Sequence, residues 1–397
     1  MRILLFDPEV GGHHLEYAGH LARFLRGRGD DVVFTTWDGT TISRDLIAQH
    51  SLGEVRHLGP QGSDRLAWIG GWPLTRARGM NRCLQLARKL DADVVHFLYL
   101  DRSELGLLAS LSLQPRPSAL FGTLFWPYFV HEANDNPGIP KGLFHKASAY
   151  ALGRLLTEGK MTGLFVHSQR IRSLLIGRLG RPAVGNKIFV VPDPAKSMPT
   201  LSIADARAEL DLPLGLPMIL FFGGARPDKG PDILLRALPR LGGDWLAVFA
   251  GEPGIIGNIE ADECRSKLPH PDRLVTRFGY VSEEDASRYF GAADVVVLPY
   301  RHTFRGTSGV LRRAAASGKP IIASDVGDVG PEVRKAGLGT VITPESPHHL
   351  AIALRDFLAA PDSFARGIES RAIEFAQLND WRVLGRAVRD QYLRALA

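Results

Sequence analysis

Two cations stand three residues apart in the stretch FFGGARPDKG: Arg226 and Lys229, after the paired glycines Gly223 and Gly224 and before the helical run ILLRALPRL. The apolar residues Ile219, Leu220, Phe221 and Phe222 ahead of them have the length and type of a buried strand. A guanidinium and an ammonium set in a strand–glycine–helix connection suit a diphosphate, because unpaired N–H groups at a helix start add to their field. A solvated turn carrying two surface cations is the competing reading.

Two further loops have related chemistry. In RHTFRGTSGVLRRAAASGKP, the residues Thr307, Ser308 and Gly309 precede an alanine-rich helix. Their hydroxyls and N–H groups could hold a phosphate oxygen while Arg305 and Arg313 add charge, and helix capping explains the same residues equally well. Near the start of the chain, Gly11 and Gly12 separate an apolar strand from a helix that begins around His13 and His14. Glycine there lets a ligand approach the backbone, and one of the two histidines can meet a hydroxyl or phosphate. His13, His14 and His20 lack the three- or four-residue spacing that would gather them on one helix face, so no metal site is expected. Neither G-x-G-x-x-G nor G-x-x-x-x-G-K-[ST] occurs in these loops.

Other candidates lie where strands should end. His131 and Glu132 follow the aromatic turn Phe125–Trp126–Pro127–Tyr128–Phe129, Glu252 follows the strand WLAVFAG, and Asp325, Gly327 and Glu332 follow PIIAS. Glu332 can accept from a sugar or ribose hydroxyl, or simply open the helix PEVRKAG, where a carboxylate is favourable.

The elements that must position these groups alternate. Strand, glycine loop and helix open the chain, and the same grammar restarts more than 200 residues later at Met218. This predicts an α/β protein of two doubly wound, Rossmann-like domains with their loops facing an interdomain cleft. The expected divisions are 1–195, 196–375 and a final helix in 376–397, with the proline-rich stretch from Ala195 to Pro217 as linker. Helices are expected at Arg78–Leu90, Lys141–Leu156 and Trp381–Leu396, and Asp64–Trp72 is read as loop or mobile helix.

With 397 residues, 45% hydrophobic and 23% charged, the chain can build two cores. Its two cysteines, Cys83 and Cys264, have no partner spacing and read as inert thiols. The formal charge of +6 would suit an anionic partner, but zinc-finger and RNA-binding signatures are missing, so no nucleic acid is expected. Asp7 and Glu9 interrupt the first apolar run, which therefore reads as a strand and not an export signal. Cytoplasmic placement is expected, and the basic helices leave open a peripheral contact on the inner face of the cell membrane.

Four segments together resemble a known family: VGGHHLEYAGHLARFLRGRGDDVVF, FFGGARPDKGPDILLRAL, RFGYVSEEDASRYFGAADVVVLPY and SGVLRRAAASGKPIIASDVGDVGPEV. The chain is similar over nearly its full length to the retaining GT-B glycosyltransferases commonly called family 4. The resemblance implies a nucleotide-diphosphate sugar as donor substrate, no tightly bound cofactor and no metal. It implies a hydroxyl acceptor, whether glycan, lipid-linked or small molecule, held by the first domain. Arg226 and Lys229 would then grip the diphosphate, Gly12 would lie near the donor phosphate or the transferred sugar, and Glu252 and the segment Phe278 to Val281, which includes Tyr280, would neighbour the base. Leu311 would lie by the ribose and phosphate.

Four positions depart from the family pattern. The arginine usual after the first glycine is Gly224. The paired glutamates that address sugar and ribose register on Arg305 and Arg313, and a carboxylate-to-guanidinium change replaces acceptors by fixed cations. The first-domain histidine registers on Phe125, with His131 as the nearby residue that would compensate. A non-catalytic homologue that binds a nucleotide sugar, or supports a partner enzyme, is the alternative these departures leave open.

Overall fold

The computed structural model describes residues 1–9, 13–37, 42, 44–59, 71–113, 115–130, 141–194, 198–199 and 201–397. The chain divides into two compact units: Met1–Asp193 with Trp381–Ala397, and Pro194–Asp380.

The first unit is built on seven strands: β1 (Arg2–Asp7), β2 (Asp31–Thr36), β3 (Glu54–His57), β4 (Val94–Phe97), β5 (Ala119–Leu124), β6 (Gly163–Val166) and β7 (Ile188–Val190). They pair in parallel in the order β3-β2-β1-β4-β5-β6-β7, with Leu4 opposite both Val33 and Val95. The second unit has six: β8 (Met218–Phe222), β9 (Leu246–Gly251), β10 (Leu274–Phe278), β11 (Val295–Leu298), β12 (Ile321–Ser324) and β13 (Gly339–Ile342), in the parallel order β10-β9-β8-β11-β12-β13. Each central strand is a continuous apolar run because helices cover both faces, and alternate residues enter different cores. Leu4 and Phe6 pack on one face of the first sheet while Ile3 and Leu5 pack on the other. This is the GT-B fold at the level of each unit: a doubly wound parallel sheet, reversed in order between β1 and β4 and between β8 and β11.

The last helix, Trp381–Leu396, belongs to the first unit. It lies close against the helix His13–Arg26, where a Cβ on Gly385 would stand only 2.4 Å from the Phe24 ring. Tyr392 reaches the buried His96, whose other ring nitrogen meets Thr123 Oγ1 at 2.8 Å. Burial lowers the His96 pKa to about 3, so this imidazole is neutral and serves as a structural hydrogen-bonding group. Arg389 adds an ion pair of 2.6 Å to Asp30.

In the second unit the buried Arg207 takes a comparable role. Its guanidinium donates to the carbonyls of Pro213, Leu214, Leu216 and Ala292 and pairs with Asp294, tying the segment before β8 to the sheet.

Among the described helices of eight residues or more, two are not anticipated by the sequence reading. Glu104–Leu113 has leucines all round its axis, so it carries no apolar stripe to detect, and Asn258–Arg265 is short and polar. The helix expected at Arg78–Leu90 begins earlier, at Gly71. Most of the Asp64–Trp72 segment falls outside the described residues. Among the described residues no helix is long and apolar enough to cross a membrane.

The helix Glu104–Leu113 buries the Glu104 carboxyl completely, beside the hydroxyl of Ser148, which meets Tyr128 Oη at 2.6 Å. Burial pushes the Glu104 pKa up to about 8, Asp101 adds to the rise, and backbone donors and Ser148 partly oppose it. A raised carboxyl pKa gives stability that is fully present below the unfolded value and lost as pH rises toward 8. We expect Glu104→Gln to flatten the fall in unfolding free energy between pH 5 and 8 by roughly 1 kcal/mol per pH unit. Urea titrations at four pH values would read this; parallel curves for the two proteins would count against a buried neutral carboxyl.

Candidate functional site

At the carboxyl end of β8 the chain turns at Gly223, whose φ of +96° is left-handed. The single 3-10 turn Pro227–Lys229 then folds back over it. A Cβ at Gly223 would stand 2.9 Å from Lys229 Nζ, so glycine is what lets the ammonium lie on the turn. The next loop packs equally close, since a Cβ on Gly251 would stand 2.5 Å from the Gly223 carbonyl oxygen. Ala225 N–H donates to the Glu252 carbonyl at 2.8 Å and Gly279 N–H to that of Gly251 at 3.0 Å. The ends of β8, β9 and β10 thus form one hydrogen-bonded rim.

Lys229 is half-buried in this rim and its side chain makes no hydrogen bond or ion pair among the described residues. Burial lowers its pKa to about 8, with Arg226 adding repulsion and Asp228 partly opposing. Arg226 is exposed and held by Asp228 through contacts of 3.0 and 2.7 Å. Gly224 leaves space beside the Cβ of Glu252, 3.9 Å from where its own would be. Glu252 and Tyr280 are exposed on the rim, Tyr280 to 85%.

The loop between β11 and the helix Gly309–Ala316 presents a more committed set. Ser308 is buried and caps that helix, accepting from Leu311 N–H at 3.2 Å and meeting Tyr300 Oη at 3.0 Å. Its hydroxyl is therefore occupied by capping, whereas Thr307 is partly buried and Gly309 is exposed with open space about it. Arg305 is partly buried in the same loop. Arg313 makes a bidentate pair with Glu283 at 2.6 and 2.8 Å. Glu332 receives 2.7 Å from the buried Arg312, which also lies over the Phe375 ring, so this carboxylate joins two helices within the unit.

In the first unit, the residues beyond β1 and β4 gather where the strand order reverses. The Asp7 carboxylate is fully buried and both of its oxygens lie 2.9 Å from His14 Nδ1. Burial pushes the Asp7 pKa up and His14 partly offsets the rise. The His14 ring packs on Tyr99 at 3.9 Å, Tyr99 stacks on Phe125 at 4.2 Å, and Phe125 meets His167 at 4.5 Å. Asp101 fixes this aromatic turn by accepting from the N–H groups of Phe125 and Trp126 at 2.9 and 2.7 Å. Gly11, Gly12, His131 and Glu132 lie outside the described residues, and of His13 only its place at the start of the helix His13–Arg26 is described. The sequence reading misses Asp7, Tyr99 and His167. Asp7 ending the apolar run of β1 was the available signal.

Among the described residues no group of three or more His, Cys, Asp or Glu side chains is placed to hold a metal ion.

The family model for "Glycosyl transferases group 1" matches residues 216–360, which span the rim of the second unit. The match takes in well under half of the chain. A D-inositol 3-phosphate glycosyltransferase of Nocardioides sp. is 32% identical over 209 residues, covering 48% of this chain and 44% of that protein. The chain thus matches less than half the length of this curated relative. In fold the likeness runs the whole length. A glycosyltransferase from Rickettsia africae superposes with a TM-score of 0.73 at 15% identity, covering 100% of this chain and 98% of the other. HepE of Anabaena, solved in complex with UDP and glucose, does so with 0.70 at 17% identity, covering 99% and 100%. Both show a shared GT-B fold, and within the matched segment Lys229 is a partly buried rim cation with no carboxylate bonded to it among the described residues.

Competitive acylation of the protein across pH 6–10 should give Lys229 a labelling midpoint near 8. Exposed lysines should follow near the ordinary value of about 10.4. A Lys229 midpoint at that ordinary value would mean that the rim does not bury its ammonium.

Proposed function

We propose that the protein is a glycosyltransferase that moves a sugar from a nucleotide-diphosphate sugar to a hydroxyl acceptor with retention of configuration, the donor bound by the second unit. The observation that carries this reading is the partly buried Lys229 ammonium lying over the Gly223 turn, without a bonded partner among the described residues, inside the segment that matches the group 1 family model. An ammonium desolvated without a counter-charge is costly, and an anion bound there relieves the cost. The Nocardioides relative's name and the UDP and glucose bound to HepE support a nucleotide sugar as that anion.

On this reading Lys229, with Arg226 beside it, stabilises the charge that develops on the diphosphate as the glycosidic bond breaks. The electron pair of that bond leaves with the diphosphate, whose oxygen accepts the proton of the attacking hydroxyl. The first unit contributes the acceptor side, where the Asp7 carboxylate fixes the orientation of the His14 imidazole. Arg305, in the loop before the helix Gly309–Ala316, adds positive field toward the donor.

A second reading, a nucleotide-sugar-binding homologue without turnover, is favoured by one specific observation. Arg313 stands where the family has a glutamate and is locked to Glu283. Release of nucleoside diphosphate from a panel of UDP-, GDP- and ADP-sugars separates the two: turnover supports transfer, and binding without turnover supports the alternative.

Lys229→Ala should weaken nucleoside diphosphate binding at least tenfold, about 1.5–3 kcal/mol for a hydrogen bond to a charged group, with little change in melting temperature. Calorimetry on the folded variant reads the affinity, and an unchanged value would remove the basis of the donor site.

A further inference from the structure

A nucleoside diphosphate presents two recognition problems beyond its phosphates: the base and the vicinal diol of the ribose. The diol needs a fixed acceptor, and a carboxylate with both oxygens available is the side chain best suited to it. Glu332 and position 313 were the sequence candidates. Neither is available, because Glu332 is bonded to the buried Arg312 and Arg313 is spent on Glu283.

The other carboxylates along this end of the sheet are committed in the same way. Asp228 holds Arg226, Asp232 holds Arg301 and Arg236, Glu283 holds Arg313, and Asp325 holds Arg334. Glu252 differs. Its side chain is exposed and makes no hydrogen bond or ion pair among the described residues.

Its backbone, by contrast, is tightly placed. The Glu252 carbonyl accepts from Ala225 N–H at 2.8 Å, and Gly251 just before it presses against the Gly223 carbonyl. The Glu252 Cβ lies beside Gly224, in the turn that carries Lys229. Glu252 also directly follows β9, the strand next to β8 on the side away from the order reversal. In dinucleotide-binding sheets wound in this order, the end of that second strand is where a carboxylate meets the ribose of a nucleotide whose phosphates sit on the first loop, and Glu252 holds the equivalent place here.

We infer that Glu252 is the residue that accepts the ribose hydroxyls of the bound nucleotide and makes this protein selective for ribonucleotides. The inference rests on the donor site proposed above. It gives the second unit a division of labour: Lys229 for the diphosphate, Glu252 for the diol and the exposed Tyr280 beyond it for the base.

The test is a binding comparison by calorimetry on the full chain. Whichever of UDP, GDP and ADP binds the wild-type protein most tightly is compared with its 2′-deoxy and 3′-deoxy analogues, in wild type, Glu252→Gln, Glu252→Ala and Glu283→Gln. Wild type should prefer the ribonucleotide by about tenfold or more over at least one deoxy analogue. Both Glu252 variants should bring that ratio close to one by losing affinity for the ribonucleotide, with little change toward that analogue, while Glu283→Gln keeps the preference. A wild-type ratio near one, or a ratio that survives in Glu252→Ala, overturns the inference. So does a ratio lost in Glu283→Gln but kept in the Glu252 variants. If none of the three diphosphates binds the wild type, the donor site itself falls and this inference with it; if they bind in a Lys229-dependent way and only the ratio is indifferent to Glu252, the donor site stands alone.

Discussion

Parallel sheets confine chemistry to their ends. In both units the strands are covered by helices on each face, so β1, β4, β8 and β11 carry apolar side chains on both sides and have no face to offer a ligand. Polar groups that could bind a substrate must therefore come from the loops where strands give way to helices. There the backbone itself is exposed and the strand order reverses. Asp7, Tyr99 and Phe125 in one unit, and Gly223, Lys229, Glu252 and Tyr280 in the other, all stand at such ends.

Charge pairing then selects among those loop residues. The second unit carries many arginines near its strand ends, and a count of cations alone would make most of them candidates for phosphate binding. The structure sorts them. Arg301, Arg312, Arg313 and Arg334 are each neutralised by a carboxylate at 2.6–2.9 Å, and these pairs fix helices and loops to one another. Arg226 is exposed and shares Asp228, while Lys229 is desolvated without a bonded anion. A partly buried ammonium in that state is held ready by the surrounding backbone, because Gly223 gives it room that any side chain would fill. The same sorting, applied to carboxylates, leaves Glu252 beside the turn with no cation bonded to it among the described residues.

The first unit solves a different problem with aromatic packing. Phe125 is stacked on Tyr99 and in contact with Tyr17 and His167. The ring at that position is therefore part of a wall. The His14 imidazole at the same strand ends lies against two carboxylates, with Asp7 at 2.9 Å from Nδ1 and Glu9 at 3.6 Å from Nε2.

Much of this was legible in the residues alone. The apolar runs, the glycines after them and the periodic segments that follow predict two doubly wound units and place Arg226 and Lys229 in a strand-to-helix connection, because those features depend on neighbours a few residues away. The final helix was likewise readable from its own stripe of Leu384, Val388 and Tyr392. What sequence could not decide were matters of partnership. Arg313 and Glu283 are 30 residues apart, Arg312 and Glu332 are 20 apart, and His96 and Tyr392 are separated by 296. Whether a charged side chain is spent or available depends on such distant partners, and only the packed chain brings them within bonding distance.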